Sequence, residues 1–273
     1  MKTLTFFSEK GGMGKTTFSV LMASWLAYHE GRKVYVIDFD YPGYQMMNMR
    51  NRDLQILKAG GNQLSVLSAG NDFYTIGKVK GNYQGYTRGE LATIAENIVR
   101  LRGSGDGYVI LDFPGRFMQN DPVYHLMRLE LLDLVVFPID TDIQSITSAL
   151  NVNALLKDPS KFPSGKDQQV LLMWNRETAN ERAGRRDWYA TYDSLFSRMR
   201  LPVAGVRMRN IEILRRDPPT FGFVRNTVCW PEANVARRCP YVGDLFREIL
   251  MRLDGEWTPE AAETVYGKDG QHA

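Results

Sequence analysis

Leu4-Thr5-Phe6-Phe7, followed at once by Ser8-Glu9-Lys10-Gly11-Gly12-Met13-Gly14-Lys15-Thr16-Thr17, is the stretch on which the reading of this chain turns. An apolar, strand-like run passes into a glycine-rich loop, and a helical pattern begins near Lys15. Between a strand and a helix, glycines let successive backbone N–H groups curl inward toward an anion, and the helix N-terminus adds partial positive charge. In such a phosphate-binding loop Lys15 would neutralise the β- and γ-phosphates, and the Thr16 hydroxyl would ligate magnesium. The strict G-x-x-x-x-G-K-[ST] spacing is not met, because its first glycine position holds Glu9 and a second lysine, Lys10, precedes the glycine pair. A plain glycine-rich turn with two solvated lysines would not account for the strand before it and the helix after it.

Outward from this loop the chain alternates short apolar runs with helical patterns. The strand candidates are Leu4 to Phe7, Lys33 to Asp38, Tyr108 to Phe113, Leu134 to Ile139, Val170 to Trp174 and Val203 to Met208. Helical stretches run from Lys15 to His29, Arg88 to Arg102, Ile143 to Lys157 and Arg185 to Arg200, each ended by a nearby glycine or proline. This alternation predicts an α/β fold, a mostly parallel twisted sheet flanked by helices on both faces. Gly60 to Gly85, rich in Gly, Asn and Tyr, yields no assignment. At 273 residues and 44% hydrophobic, the chain can bury a full core. The expected organisation is one domain over residues 1–253 and a polar, flexible tail over 254–273. Two cysteines ten residues apart suggest neither a disulfide framework nor a metal site. With no apolar run long enough to span a bilayer and no signal-peptide pattern, the expectation is a cytoplasmic protein that does not engage membranes.

Lys10-Gly11-Gly12-Met13-Gly14-Lys15-Thr16-Thr17 resembles, at every fixed position, the deviant Walker A loop of the ParA/MinD family of ATPases. The overall style is most like ParA-type partition ATPases of plasmids or conjugative elements, and the resemblance spans about Met1 to Leu253, least well over Asn48 to Gly85. It implies a P-loop ATPase in which two subunits close face to face on two ATP molecules. All eight loop residues would bind ATP, and Lys10 would reach the partner subunit's phosphates.

In sheets of this class, chemistry gathers at the C-terminal strand ends. Val36-Ile37-Asp38-Phe39-Asp40 corresponds to the family's first switch, so Asp40 is expected near magnesium and the attacking water, as the residue that positions it. By turn chemistry alone, Asp38 could simply cap backbone. Tyr108-Val109-Ile110-Leu111-Asp112-Phe113-Pro114-Gly115 reads as a Walker B strand with a second switch. Asp112 would hold magnesium largely through its water shell, and Gly115 could present an N–H to the γ-phosphate. Trp174-Asn175-Arg176-Glu177 stands where guanine-specific relatives carry Asn-Lys-x-Asp, and it resembles the adenine-contacting Asn-Arg of ParA-like proteins. Adenine is therefore favoured over guanine, although Asn175 could also be a strand-end cap. Pro218 and Pro219 would supply a further adenine wall.

From Arg176 to Arg252 there are fifteen arginines, no lysines and nine acids, against a net charge of +3 for the whole chain. ParA-like ATPases bind DNA non-specifically through this part of the chain, which nominates Arg198, Arg200, Arg207, Arg209, Arg215 and Arg216. A solvated surface balanced by Glu212, Asp217 and their neighbours is the other reading of the same charges. The function expected from the resemblance is a slow Mg-ATP switch, a homodimer on ATP that binds non-specific DNA. A ParB-like or other activating partner protein would stimulate it, and it would act on the nucleoid. Two alternatives stay open: a MinD-like ATPase positioning a protein cargo, and a metabolic ATP-dependent ligase of related fold. The acidic, proline-interrupted end of the chain speaks against membrane binding, and Lys10 speaks against the ligase.

Overall fold

The computed structural model of the chain describes residues 1–59, 72–81, 85–118, 120–158, 169–184, 186–210 and 224–267. Six parallel strands form one sheet in the order β3-β2-β4-β1-β5-β6. These are β1 (Lys2–Phe6), β2 (Val34–Asp38), β3 (Thr75–Lys78), β4 (Tyr108–Asp112), β5 (Leu134–Ile139) and β6 (Gln169–Trp174). Among the described residues the helices are α1 (Lys15–Tyr28), α2 (Gln45–Lys58), α3 (Arg88–Gly103), α4 (Pro122–Arg128), α5 (Ile143–Leu156), α6 (Ala179–Gly184), α7 (Arg186–Arg198), α8 (Glu232–Arg238), α9 (Val242–Asp254) and α10 (Pro259–Tyr266).

The central strands read as nearly continuous apolar runs because both sheet faces are covered. Alternation still sorts them. Leu4, Phe6, Val36, Ile110, Val136 and Met173 pack under α1, α2 and α9. Leu111, Val135, Phe137, Leu172 and Trp174 face α3, α4, α5 and α7. Helix α1 is buried on nearly all sides from Thr17 to Leu26, so its composition lacks the one-sided stripe of a surface helix. Helix α3 starts at a capping box in which the Glu90 N–H donates to Thr87 Oγ1 at 3.2 Å and the Thr87 N–H donates to Glu90 at 2.8 Å.

The structure departs from expectation in several places. Strand β3 lies inside the stretch that gave no assignment and is held at the sheet edge by its register on β2, Tyr35 to Thr75 through Asp38 to Lys78. The expected strand Val203 to Met208 runs beside β6 only as isolated parallel bridges, Leu172 to Val203 and Glu177 to Arg209. The expected helix Arg185 to Arg200 is seen as α7, Arg186–Arg198, and α6 before it, Ala179–Gly184, was not expected. The polar end of the chain is not a loose tail as far as Gly267. Thr258 caps α10, and Tyr266, 6% exposed, donates its hydroxyl to buried Glu248. The ring of Tyr266 closes over Gly205, where an added Cβ would fall 2.2 Å from it. Polarity on the outward face of α10 hid one buried aromatic anchor.

Candidate nucleotide-binding site

The loop after β1 is built as its sequence requires. Gly12 and Gly14 adopt φ of +73° and +84°, a region that residues with a Cβ enter only under strain. Met13 between them is fully buried and pins the loop down. Gly14 is the N-cap of α1, provides no side-chain cap, and accepts the Phe18 N–H at 2.8 Å. The N–H groups of Lys15, Thr16 and Thr17 therefore have no intrahelical partner and form the anion-seeking end of the helix. A cavity of about 430 Å³ opens over them, lined by Gly12 through Phe18 together with Gln45, Asn175, Arg176, Arg209, Asn210 and Arg225. Burial lowers the Lys15 ammonium below its ordinary value, opposed by the charges of Asp112 and Asp40.

Two carboxylates end neighbouring strands at the same level, since Asp38 and Asp112 are paired in the β2–β4 register. Both are fully buried, yet their surroundings differ. Asp38 accepts the N–H groups of Asp40 at 3.0 Å, Met46 at 3.0 Å and Met47 at 3.3 Å, and so caps the first turn of α2. This is the backbone-capping role. Burial still raises its carboxyl, against those three hydrogen bonds. Asp112 has far less support: its Oδ1 accepts from the Ser19 hydroxyl at 3.1 Å, and its Oδ2 is buried with no hydrogen-bond partner. Burial, reinforced by Asp38 and Asp40, pushes it up to about 7. An orphaned carboxylate oxygen beside the Thr16 hydroxyl, the Lys15 ammonium and Asp40 fits a hydrated magnesium ion, which prefers oxygen donors and keeps most of its water.

Gly115 lies tightly against the loop. A Cβ there would sit 3.0 Å from the carbonyl oxygens of Ser8 and Glu9 and 3.1 Å from Lys15 Nζ. The second-switch turn and the P-loop are thus in direct backbone contact. Lys10 points to the other side of the loop, where its ammonium meets Asp140 at 3.0 Å and Asp142 at 2.9 Å. Partial burial would lower it, but the hydrogen bonds it donates to Asp142 and Asp140, with their charges, outweigh that and leave it raised. Asp142 is also the N-cap of α5, accepting the Gln144 N–H at 2.9 Å, and Arg176 reaches Asp140 at 3.7 Å.

Asn175 reaches the loop, and its amide is engaged there. Its Nδ2 donates to the Met13 carbonyl at 2.9 Å and its Oδ1 accepts the Arg176 N–H at 2.9 Å. The strand-end cap reading is therefore realised, in a residue that also lines the cavity. Pro218, Pro219, Arg215 and Arg216 lie outside the described residues. The four remaining arginines nominated for DNA do not form one patch. Arg198 and Arg200 sit where α7 ends, at the N-terminal edge of the sheet, with Leu201–Pro202 beside the start of β6. Arg209 lines the P-loop cavity at the opposite edge, about 20 Å away by strand rise. Arg207 lies between, bound to Asp193 at 3.2 Å and stacked on Tyr189 at 4.4 Å. An extended segment carries residues close in sequence from one end of the sheet to the other, which separates what the sequence clusters.

Sequence reasoning missed Arg225, Gln45 and Asn210 as cavity residues. Arg225 donates to the Thr17 hydroxyl at 3.2 Å. Its position is fixed by the next two residues: the Asn226 carbonyl accepts from Ser24, and Thr227 is bonded to both Arg50 and Asp53. Those contacts span more than 170 residues of chain, so no local signal marks them.

Residues 1–69 match the profile of the AAA domain family. No curated protein matches the chain in sequence. Among solved structures, it is similar to the MinC:MinD cell division protein complex of Aquifex aeolicus, with a TM-score of 0.59 at 18% identity, over 95% of this chain and 98% of that one. It is similar to pNOB8 ParA bound to nonspecific DNA, with a TM-score of 0.56 at 17% identity, over 94% and 99% of the two chains. A putative plasmid partition protein from Borrelia burgdorferi B31 bound to AMPPNP follows, with a TM-score of 0.52 at 15% identity, over 80% and 92%. At such identities the likeness is one of fold. The parallel sheet is the one these MinD and ParA structures share, and the AAA match covers the glycine-rich loop of this chain.

Proposed function

We propose that this chain is a Mg-ATP-driven switch of the partition and positioning class, which dimerises on ATP and resets by hydrolysis. The observation that carries the reading is the cavity floored by the α1 N–H groups and lined by Lys15 and Thr16, with the buried Asp112 carboxylate, one oxygen of which has no hydrogen-bond partner, close behind it. The N–H groups of Lys15 to Thr17 and the Lys15 ammonium bind the phosphates, and Gly115 keeps that lysine in line by leaving it no lateral room. When bound, magnesium would supply charge neutralisation between the β- and γ-phosphates. Thr16, Asp40 and Asp112 would hold it, the last through ordered water. Asp40 would orient the attacking water, and positioning of this kind accounts for most of the acceleration in phosphoryl transfer. Asn175 and Arg176 would contact adenine.

Lys10 is the residue that would cross to the partner's nucleotide, and its pairing with Asp140 and Asp142 describes how a monomer would store it. The closed dimer would bind non-specific DNA and be stimulated by an activating partner protein. A shift assay on random-sequence DNA with ATP, ADP or no nucleotide tests this, using wild type, Lys15→Ala and Asp40→Ala. Binding that needs ATP, persists in Asp40→Ala and is lost in Lys15→Ala is the expected result. ATP hydrolysis without any DNA binding would instead favour the second reading, a positioning ATPase for a protein cargo. The dispersal of Arg198, Arg200, Arg207 and Arg209 along the sheet gives that second reading its support.

A further inference from the structure

The described lining of the P-loop cavity carries four cations, Lys15, Arg176, Arg209 and Arg225, and no carboxylate. Two of the arginines are engaged elsewhere: Arg176 meets Asp140 at 3.7 Å, and Arg209 lies over the Tyr241 ring at 5.3 Å. Arg225 instead donates to the phosphate-seating helix itself, from Nη1 to the Thr17 hydroxyl at 3.2 Å. Thr17 stands in the first turn of α1, where backbone N–H groups point toward a bound anion.

The cavity runs from Lys15 and Thr16 toward Asn175, Arg176 and Asn210, and its described lining includes none of Asp40, Asp112 and Gly115, the γ-phosphate side of the proposed site. The lysine of such a loop reaches the β- and γ-phosphates, and the threonine next to it reaches the metal between them. The phosphate joined to the sugar therefore falls on the side of Thr17 and Arg225. A buried network sets Arg225 there. Two residues on, Thr227 is fully buried, and its N–H and hydroxyl each donate to Asp53 at 2.8 Å. Arg50 donates to the Thr227 hydroxyl at 3.0 Å and to its carbonyl at 2.9 Å, and the Tyr28 hydroxyl donates to that carbonyl at 2.7 Å. Ser24 donates to the Asn226 carbonyl at 2.6 Å. A satisfied buried network specifies one arrangement of the segment. Through Ser24 and Tyr28 it ties Arg225 to α1, and through Arg50 and Asp53 to α2, so the guanidinium is placed before any nucleotide arrives and loses less freedom on binding.

We propose that Arg225 binds the α-phosphate of the nucleotide, and that Thr227, gripped by Asp53 and Arg50, is its positioning residue. The inference rests on the nucleotide-switch reading and assigns a contact within that site. The guanidinium fork offers several N–H donors, so it can meet a phosphate oxygen while keeping the Thr17 hydroxyl beside it. The α-phosphate is untouched by hydrolysis. Arg225 therefore holds ADP as firmly as ATP and sets how long the product stays, while the γ-phosphate chemistry belongs to Lys15, Asp40 and Asp112.

The test titrates Mg-ADP into the full chain as wild type, Arg225→Ala, Thr227→Val and the double variant, and records the phosphorus NMR spectrum of the bound nucleotide. Arg225→Ala should bind about tenfold more weakly, release ADP correspondingly faster, and displace the α-phosphorus resonance while the β-phosphorus keeps its wild-type position. Single-turnover hydrolysis at saturating ATP should stay within about twofold of wild type. Arg225→Gln, which keeps the stem and one amide donor group, is the milder variant and should displace the same resonance. Thr227→Val should cost about threefold in affinity alone and nothing further in the Arg225→Ala background. Wild-type affinity in Arg225→Ala, or weakened binding with the α-phosphorus unmoved, overturns the contact. An equal cost of Thr227→Val in both backgrounds overturns the positioning role. A wild-type chain that binds no Mg-ADP would overturn the switch reading itself, and this contact with it.

Discussion

Replacing Gly115 with alanine adds one methyl group at the point where the second-switch turn meets the phosphate loop. The Gly115 φ lies outside the left-handed region, so alanine introduces no backbone strain, and the substitution isolates the contact itself. The new Cβ would stand 3.0 Å from two backbone carbonyl oxygens and 3.1 Å from Lys15 Nζ. Ordinary contact begins at about 3.4 Å, so turn and loop must separate by about 0.4 Å. The carbonyls of Ser8 and Glu9 belong to the loop whose glycines set its curl, so the turn shifts away from them and the Lys15 ammonium, also in contact, is displaced with it. Overpacking of this kind costs about 1–2 kcal/mol of stability. A 1 Å misplacement of a catalytic group can cost about a hundredfold in rate, so a shift of 0.4 Å should cost about tenfold. Single-turnover ATP hydrolysis and nucleotide affinity, measured separately, read the two effects: turnover should fall about tenfold while ADP affinity changes by less than about threefold. Turnover within twofold of wild type would refute the argument that this close approach holds Lys15 in line.

Further outcomes follow from the same geometry. Asp140→Asn removes one of the two carboxylates that hold Lys10; a pair of this exposure is worth about 1 kcal/mol and each subunit of the dimer releases one, so ATP-dependent dimerisation should tighten by up to about thirtyfold in sedimentation, and unchanged or weaker association would contradict the storage role. Arg225→Ala should weaken ATP and ADP binding alike by about tenfold in calorimetry, because its partner Thr17 lies at the α1 end common to both nucleotides; equal affinity for wild type and variant would remove Arg225 from the site. Asp112 releases its proton near 3.8 when unfolded and at about 7 when folded, so the folded state binds more protons between those values. Stability of the chelator-treated, nucleotide-free protein should therefore fall as pH rises through that window, by at most ~4 kcal/mol. Asp112→Asn should flatten the dependence in denaturant titrations, and a variant with the wild-type pH profile would show that another group is responsible.

Where chemistry is local, the sequence spoke clearly. Lys10 to Thr17 announces the loop because glycines and lysines must occur in that order to make it. Asp112 is legible through the Asp112-Phe113-Pro114-Gly115 pattern rather than as a strand-end carboxylate alone, because Asp38 ends β2 in the same way and caps α2. Both cores follow from continuous apolar strands and the helices between them. What stayed hidden depends on contacts made across the chain. Strand β3 is four residues long and exists through its hydrogen bonds to β2, so Thr75 to Lys78 has little strand signature of its own. Helix α10 is short and carries Glu260 and Glu263 on its exposed side, and it docks through Tyr266 with Ala262 and Val265 against the core. Arg225 enters the cavity because Thr227 is gripped by α2, a long-range fact. The arginine cluster was legible as charge but not as a surface, since Arg200 and Arg209 are neighbours in sequence and opposite in the fold.

The most direct test of an ATP-driven switch is the mass of the protein in sedimentation velocity with Mg-ATP, Mg-ADP or no nucleotide, for wild type, Asp40→Ala and Lys10→Ala. The account predicts a doubled mass only with ATP, persistent in Asp40→Ala and absent in Lys10→Ala. A monomer in every nucleotide state, or a dimer indifferent to nucleotide and to Lys10, would contradict it.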